Sequence, residues 1–251
     1  MSACARPSPV PPSPVPAQQW EGEVDGIMLS SALIPSVGDM PGVPVLLARI
    51  DPQVHRLRVH YAPHAPQTLA AWHARLGATL VVNGSFFTPE WRSTALIASD
   101  GAVAGQSYVG FGGMLAVDAR GQITMRALAE TPYDDSEQPM QAVQSFPMLI
   151  RPGGRIVELD DDGAEARRTV VALDRAGDLW FIITPLTGTT LSRMARWLAD
   201  SALAIDAALN LDGGSSTGML VGSATAPLGI PAFSLLPIVI SVTRRAHPDA
   251  G

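Results

Sequence analysis

The stretch Arg167–Pro185, RRTVVALDRAGDLWFIITP, leaves room for little besides an antiparallel hairpin. Two runs rich in β-branched and aromatic residues are joined across Asp174–Asp178, a junction of turn-forming residues too short for a helical crossover. A chain built around such a hairpin needs a sheet to receive it. Further strand-like runs are abundant: GIMLSSALI, VPVLLARIDP and RLRVHYAP from residue 26 to residue 63, and ALIASDGAVAG and GGMLAVDARGQITM between residues 93 and 127. VQSFPMLIRPGGRIVEL reads as a strand pair around RPGG, and FSLLPIVISVTRR as a closing strand.

Two segments have helical period. In APQTLAAWHARLG, Leu69, Trp72 and Leu76 share a face and Gly77 is the expected stop. In TTLSRMARWLADSAL, Leu191, Met194, Ala195 and Leu198 form an apolar stripe that Thr189 or Thr190 is placed to cap. The expected fold is therefore α+β: one domain with a mixed, strand-rich sheet core and a few helices packed on one face.

Composition closes off several functions. The net charge of -6 provides no clustered basic surface for a phosphate backbone, so nucleic acid is excluded as a partner. No apolar run approaches the roughly 20 residues of a membrane-spanning helix. Residues 1–21 are dominated by Pro and Ser and read as an extended tether, residues 22–246 as the folded domain, and 247–251 as a tail. Cys4 is the sole cysteine, which rules out an internal disulfide. Its SAC context ahead of a Pro/Ser linker resembles the end of a lipoprotein signal, so the expected location is extracytoplasmic, either secreted or tethered to a membrane through a lipid on Cys4.

Polar residues gather at strand ends. The ALNLDGGSSTGML run alternates up to Asn210 and then delivers Asp212 into a loop of glycines and hydroxyls. TLVVNGSFF ends the same way at Asn83, and Arg168 opens the hairpin. Gly213 and Gly214 let a ligand approach the backbone, whose N–H groups, with Ser215 and Ser216, suit an anion; with Arg168 as the expected cation, these parts suit a phosphorylated or carboxylated ligand. Gly214, Ser216 and Gly218 match a hydrolase G-x-S-x-G elbow, but MLVGSATAPLG is not the helix which that elbow must open. The histidines, at 55, 60, 64 and 73, lack ligand spacing, and the acidic loop ELDDDGAEA reads as a solvated connector. No cofactor is required; a divalent cation on Asp212 stays open.

Taken in order, VVNGSFF, QSFPMLIRPGG, RRTVVALDRAGDLWFII and NLDGGSST resemble the phosphodiester glycosidase family over about Gly22–Arg245. The resemblance implies hydrolysis of a sugar-1-phosphodiester, of N-acetylhexosamine type, on envelope or secreted glycans such as an exopolysaccharide. It carries the catalytic positions to Asn83, Arg168 and Asp212, and substrate contacts to Gly84, Ser85, Gln144, Ser145, Thr169, Asn210, Gly213, Gly214, Ser215 and Ser216. Ala172 departs from the glycine common in the family, as Ser85 does from a second glycine. Ordinary glycosidases need two carboxyl groups, one to protonate a poor leaving group. Here Glu90 falls in a loop and Asp174 in a turn, whereas a phosphomonoester leaves as a stable anion without an acid. Asp212 is then the nucleophile or general base. The competing functions are a carbohydrate-binding surface protein without turnover and a phosphodiesterase that cuts the phosphorus–oxygen bond.

Overall fold

Successive side chains leave a strand on opposite faces, so the Thr169–Asp174 run sends Val170 and Ala172 one way and Val171 the other. Both sets are buried, as in a sheet covered on its two faces. The structure, a computed structural model, describes residues 20–160 and 163–245. Residues 1–19 of the tether with Cys4, Asp161 and Asp162 of the acidic loop, and the tail lie outside the described residues, whereas Trp20, expected in the tether, is fully buried in the core with its indole N–H donated to Leu47 O.

Three sheets form the body. The first has eight strands in the order β1 (Gly22–Val24), β2 (Ile27–Ile34), β3 (Val43–Ile50), β14 (Leu179–Ile183), β13 (Thr169–Asp174), β15 (Ile205–Asn210), β11 (Met148–Arg151) and β12 (Arg155–Ile156). The second has five: β7 (Ala102–Ala104), β6 (Ile97–Ser99), β10 (Gln141–Ser145), β8 (Gly113–Val117) and β9 (Ile123–Ala127). The third also has five: β17 (Leu228–Ile230), β16 (Met219–Val221), β5 (Leu80–Asn83), β18 (Ile238–Arg244) and β4 (His55–Tyr61).

The expected hairpin is β13–β14, with Thr169 opposite Ile183 and Leu173 opposite Leu179. Its turn is held by Asp174, whose carboxylate accepts from the N–H groups of Ala176 and Asp178 and from the Trp180 indole. The expectation of mixed sheets is corrected. Among the described residues every ladder is antiparallel, because the helices Leu69–Leu76 and Leu191–Asp200 cross between strands that are not neighbours, β4 to β5 with β18 between them and β14 to β15 with β13 between them.

Helix α1 (Leu69–Leu76) is capped by the Thr68 hydroxyl, which accepts from Ala71 N–H at 3.2 Å, and stops at Gly77 with φ 56°. Helix α2 (Leu191–Asp200) takes Thr190 as its cap and buries Met194, Ala195 and Leu198. The two helices do not share a face. Leu69 and Trp72 cover the outer side of the third sheet with Val81, Leu220 and Val239, while α2 covers the outer side of the first against Val170, Ala172 and Ala208. The inner faces of all three sheets meet in one core that includes Leu46, Leu80, Leu115, Val171, Phe181, Leu209 and Ile240. Burial of this apolar area is the main favourable term of the fold. Where the sheets meet at one end, their last residues are Asn83, Ser145 and Asn210.

Candidate active site

Asn83 ends β5 fully buried, and its amide joins the strands that surround it. Its Nδ2 donates to the backbone carbonyls of Asp212 at 2.7 Å and Gly84 at 3.2 Å. Its Oδ1 accepts from the Thr169 hydroxyl at 2.8 Å and from Gly218 N–H at 3.1 Å. The backbone adds a further tie, since Asp212 N–H donates to Gly84 O at 3.1 Å. Asn83 and Thr169 are thus positioning residues that set where the Asp212 loop leaves its strand.

The Asp212 carboxylate accepts from Gly213 N–H at 2.8 Å and from the Ser216 hydroxyl. Burial pushes its pKa above the ordinary aspartate value, and these two donors oppose the rise without cancelling it. The next two positions require glycine for separate reasons. A Cβ on Gly213 would stand 2.7 Å from Arg167 O, and Gly214 has φ +60° with open space beside it. The expected N–H cradle is largely corrected: Gly213 N–H serves the Asp212 carboxylate, and Gly214 N–H donates to Arg167 O at 2.8 Å. Ser215 is exposed, and its carbonyl accepts from Phe233 and Ser234 N–H. Ser216 sits in a single 3-10 turn with its hydroxyl 3.2 Å from that of Ser234, and strand β16, not a helix, follows it.

The two adjacent arginines part company. Arg168 lies on the α2 side of the first sheet, where Nε donates to Thr189 O at 2.9 Å and Nη2 to Ala164 O at 2.6 Å. Arg167, two residues before Thr169, shares the Asn83 side: Nη2 donates to Thr217 O at 2.7 Å and the guanidinium lies 4.4 Å from the Phe233 ring. It is 8 % exposed, and Nε and Nη1 have no acceptor among the described residues. Burial pushes its pKa down, and among the described residues no carboxylate offsets that cost. Strand parity was the signal that could have found it, because residues i and i+2 of a strand share a face.

Other buried polar atoms here are also without partners. Ser85 Oγ, Ser145 Oγ and Asn210 Oδ1 make no hydrogen bond to a described residue. Asn210 Nδ2 donates to Phe146 O at 2.9 Å, which ties the end of β15 to the segment after Ser145. Leaving a buried group unsatisfied costs about 1–3 kcal/mol, so unpartnered atoms on the chain ends next to the Asp212 loop make this a candidate ligand site. Gln144 has a different task from the one expected. Its Oε1 accepts from Tyr108 N–H and its Nε2 donates to the Ser107 hydroxyl, both at 2.9 Å, so it anchors a loop.

Asp174 stands away from this cluster in the far hairpin turn, and Glu90 is exposed in the loop after Phe87. Among the described residues no three His, Cys, Asp or Glu side chains group around a metal-sized space. A cavity of about 250 Å³ lined by Arg58, Asp100, Gln141 and Arg245 opens at the opposite ends of β4 and β18. Arg58 is forked onto Asp100 at 2.9 Å there, while Arg56, Arg120 and Arg245 line it without an ion pair among the described residues; the candidate site is taken at Asp212, beside Arg167 and the unpartnered polar atoms. No helix among the described residues is long and apolar enough to cross a membrane.

Residues 76–239 match the model of the phosphodiester glycosidase family. No curated protein sequence matches the chain at a significant level. In fold the chain is similar to the catalytic domain of zebrafish N-acetylglucosamine-1-phosphodiester alpha-N-acetylglucosaminidase auto-inhibited by its pro-peptide, with TM-score 0.68 and 17% identity over 87% of this chain and 84% of that one. A hypothetical protein from Synechocystis gives 0.61 and 15% over 87% and 62%. A Burkholderia pseudomallei protein described as exported gives 0.58 and 15% over 80% and 74%. The matched segment spans β5 through the Asp212 loop to the start of β18, and on that ground the chain belongs to the phosphodiester glycosidase family.

Proposed function

We propose that this chain hydrolyses the bond between the anomeric carbon of a sugar and the phosphate of a sugar-1-phosphodiester. The observation that carries the reading is a carboxylate of raised pKa, Asp212, in a loop hydrogen-bonded to the Asn83–Gly84 turn, with Ser85 Oγ, Ser145 Oγ and Asn210 Oδ1 on the adjoining chain ends buried and without a partner among the described residues. A raised pKa makes Asp212 a better base and nucleophile than a solvated aspartate. Acting as base, Asp212 takes a proton from water as the water oxygen bonds to the anomeric carbon. The carbon–oxygen bond to phosphate breaks, and its electron pair leaves on the phosphomonoester. Acting as nucleophile, it forms the glycosyl ester first and water releases the sugar afterwards.

The cation for the phosphate is Arg167, whose guanidinium donates to Thr217 O and keeps Nε and Nη1 without an acceptor among the described residues; the Phe233 ring beside it is 59 % exposed. Arg168 braces the pocket through the Thr189 and Ala164 carbonyls. Envelope or secreted glycans are the natural substrates, in keeping with the Pro/Ser tether and the likeness to an exported protein. Hydrolysis of a sugar-1-phosphodiester in oxygen-18 water tests the reading. Label in the sugar supports it, and label in phosphate, or binding without product, sinks it.

A further inference from the structure

Four aromatic rings stand beside the site, and none takes part in the steps above. Phe86 and Phe146 directly follow Ser85 and Ser145, and their ring centroids are 4.9 Å apart. Tyr108 lies 4.5 Å from Phe111 and 5.7 Å from Phe146, and Phe111 lies 5.9 Å from Phe146. Phe111 is 48% exposed and Phe146 40%, so the cluster is open to solvent although its rings touch. Its carrier loop is held in place, because fully buried Gln144 binds Tyr108 N–H and the Ser107 hydroxyl. The edge of the cluster is polar: the Tyr108 and Thr94 hydroxyls are 2.8 Å apart, and Phe146 O accepts from Asn210.

We infer that Phe86, Tyr108, Phe111 and Phe146 form a stacking shelf for the apolar C–H face of a pyranose ring. The inference rests on the sugar-phosphodiester reading for which sugar is held, though not for the shelf itself. A pyranose has one apolar face and a rim of hydroxyls, and the shelf presents rings inside a polar edge. An acyl chain would need a trough free of such polar groups. A second protein copy needs about 800 Å² per partner, far more than four partly covered rings offer. Position agrees as well, since Ser85 and Ser145 directly precede two of the rings and Asn210, two residues before Asp212, donates its Nδ2 to Phe146 O.

Saturation-transfer NMR from the aromatic protons to N-acetylglucosamine tests the shelf without turnover. Transfer should concentrate on one face of the sugar ring, fall about tenfold in apparent affinity in a Phe111→Ala/Phe146→Ala variant, and persist in Asp212→Asn. Phe146→Leu, which keeps the bulk and the fold but not the ring face, should lose binding in the same direction. On a sugar-1-phosphodiester the double variant should raise KM about tenfold with kcat within about twofold. Unchanged sugar binding and unchanged KM in both variants overturn the shelf while leaving hydrolysis intact. Displacement of the aromatic signals by a medium-chain alkyl phosphate but not by the sugar also overturns it. Sugar binding through the shelf with no turnover supports the shelf and defeats the hydrolytic reading instead.

Discussion

The Asn83 side-chain amide donates to the backbone carbonyl of Asp212 at 2.7 Å, across 129 residues of sequence. That bond, with the Thr169 hydroxyl on the other end of the same amide, makes the position of the carboxylate a property of three strands at once. The site is rigid because its supports are buried in sheet ends.

Asn83→Ala leaves Thr169, Gly218 and the Asp212 carbonyl each short of a partner in a buried place. The expected loss is about 3 kcal/mol of unfolding free energy, read by urea denaturation, together with a fall in activity. Asn83→Asp keeps the acceptor and loses the donor, so it should recover part of the stability and little of the turnover.

Asp212→Asn should lower kcat by about 10³-fold while leaving the fold at least as stable at neutral pH. The sign follows from the raised pKa: the folded chain holds the proton more tightly than the unfolded one, so ionisation removes stability as pH rises above the ordinary 3.8. Thermal melts of the two proteins should therefore differ in favour of the variant at pH 7 and converge at pH 3.

Arg167→Met and Arg168→Met separate the two arginines. Inorganic phosphate or a sugar-1-phosphate should raise the melting temperature of the parent and of the Arg168 variant, and protection should vanish for Arg167. Equal protection in all three proteins would remove Arg167 from the anion site.

His60 supplies a pH test away from the site. Burial, with help from Arg58 and Arg75 and against Asp100, pushes its pKa from 6.5 down to about 4, and its Nε2 lies 2.7 Å from the Ser241 hydroxyl. The fold holds the ring neutral, so its contribution is fully present above pH 6.5 and is lost as pH falls toward 4. NMR titration of the ring should show the neutral form persisting at pH 5, and a midpoint near 6.5 would contradict this burial.

Much of the fold was legible in the sequence because its signals are local. The Thr169–Ile183 hairpin, the Gly77 stop and the α2 stripe each depend on residues within one turn or one strand, and all three stand where the pattern put them. The same holds for Asp212 at a strand exit and for Asp174 in the hairpin turn. The four ordered motifs were enough to point to the family.

Tertiary structure decided what depends on pairing between distant strands. Which of Arg167 and Arg168 faces Asn83 is a matter of strand parity, fixed when Val170 pairs with Asn210 and Thr169 reaches the Asn83 amide. Whether the Gly213 and Gly214 N–H groups remain for a ligand turns on Arg167 O and on the Asp212 carboxylate folding back. Gln144 looked like a substrate contact until the Tyr108 loop, 36 residues away, proved to be its partner. A sequence records which groups a site has, whereas packing across three sheets determines which of them are already bonded within the protein and which remain for a substrate.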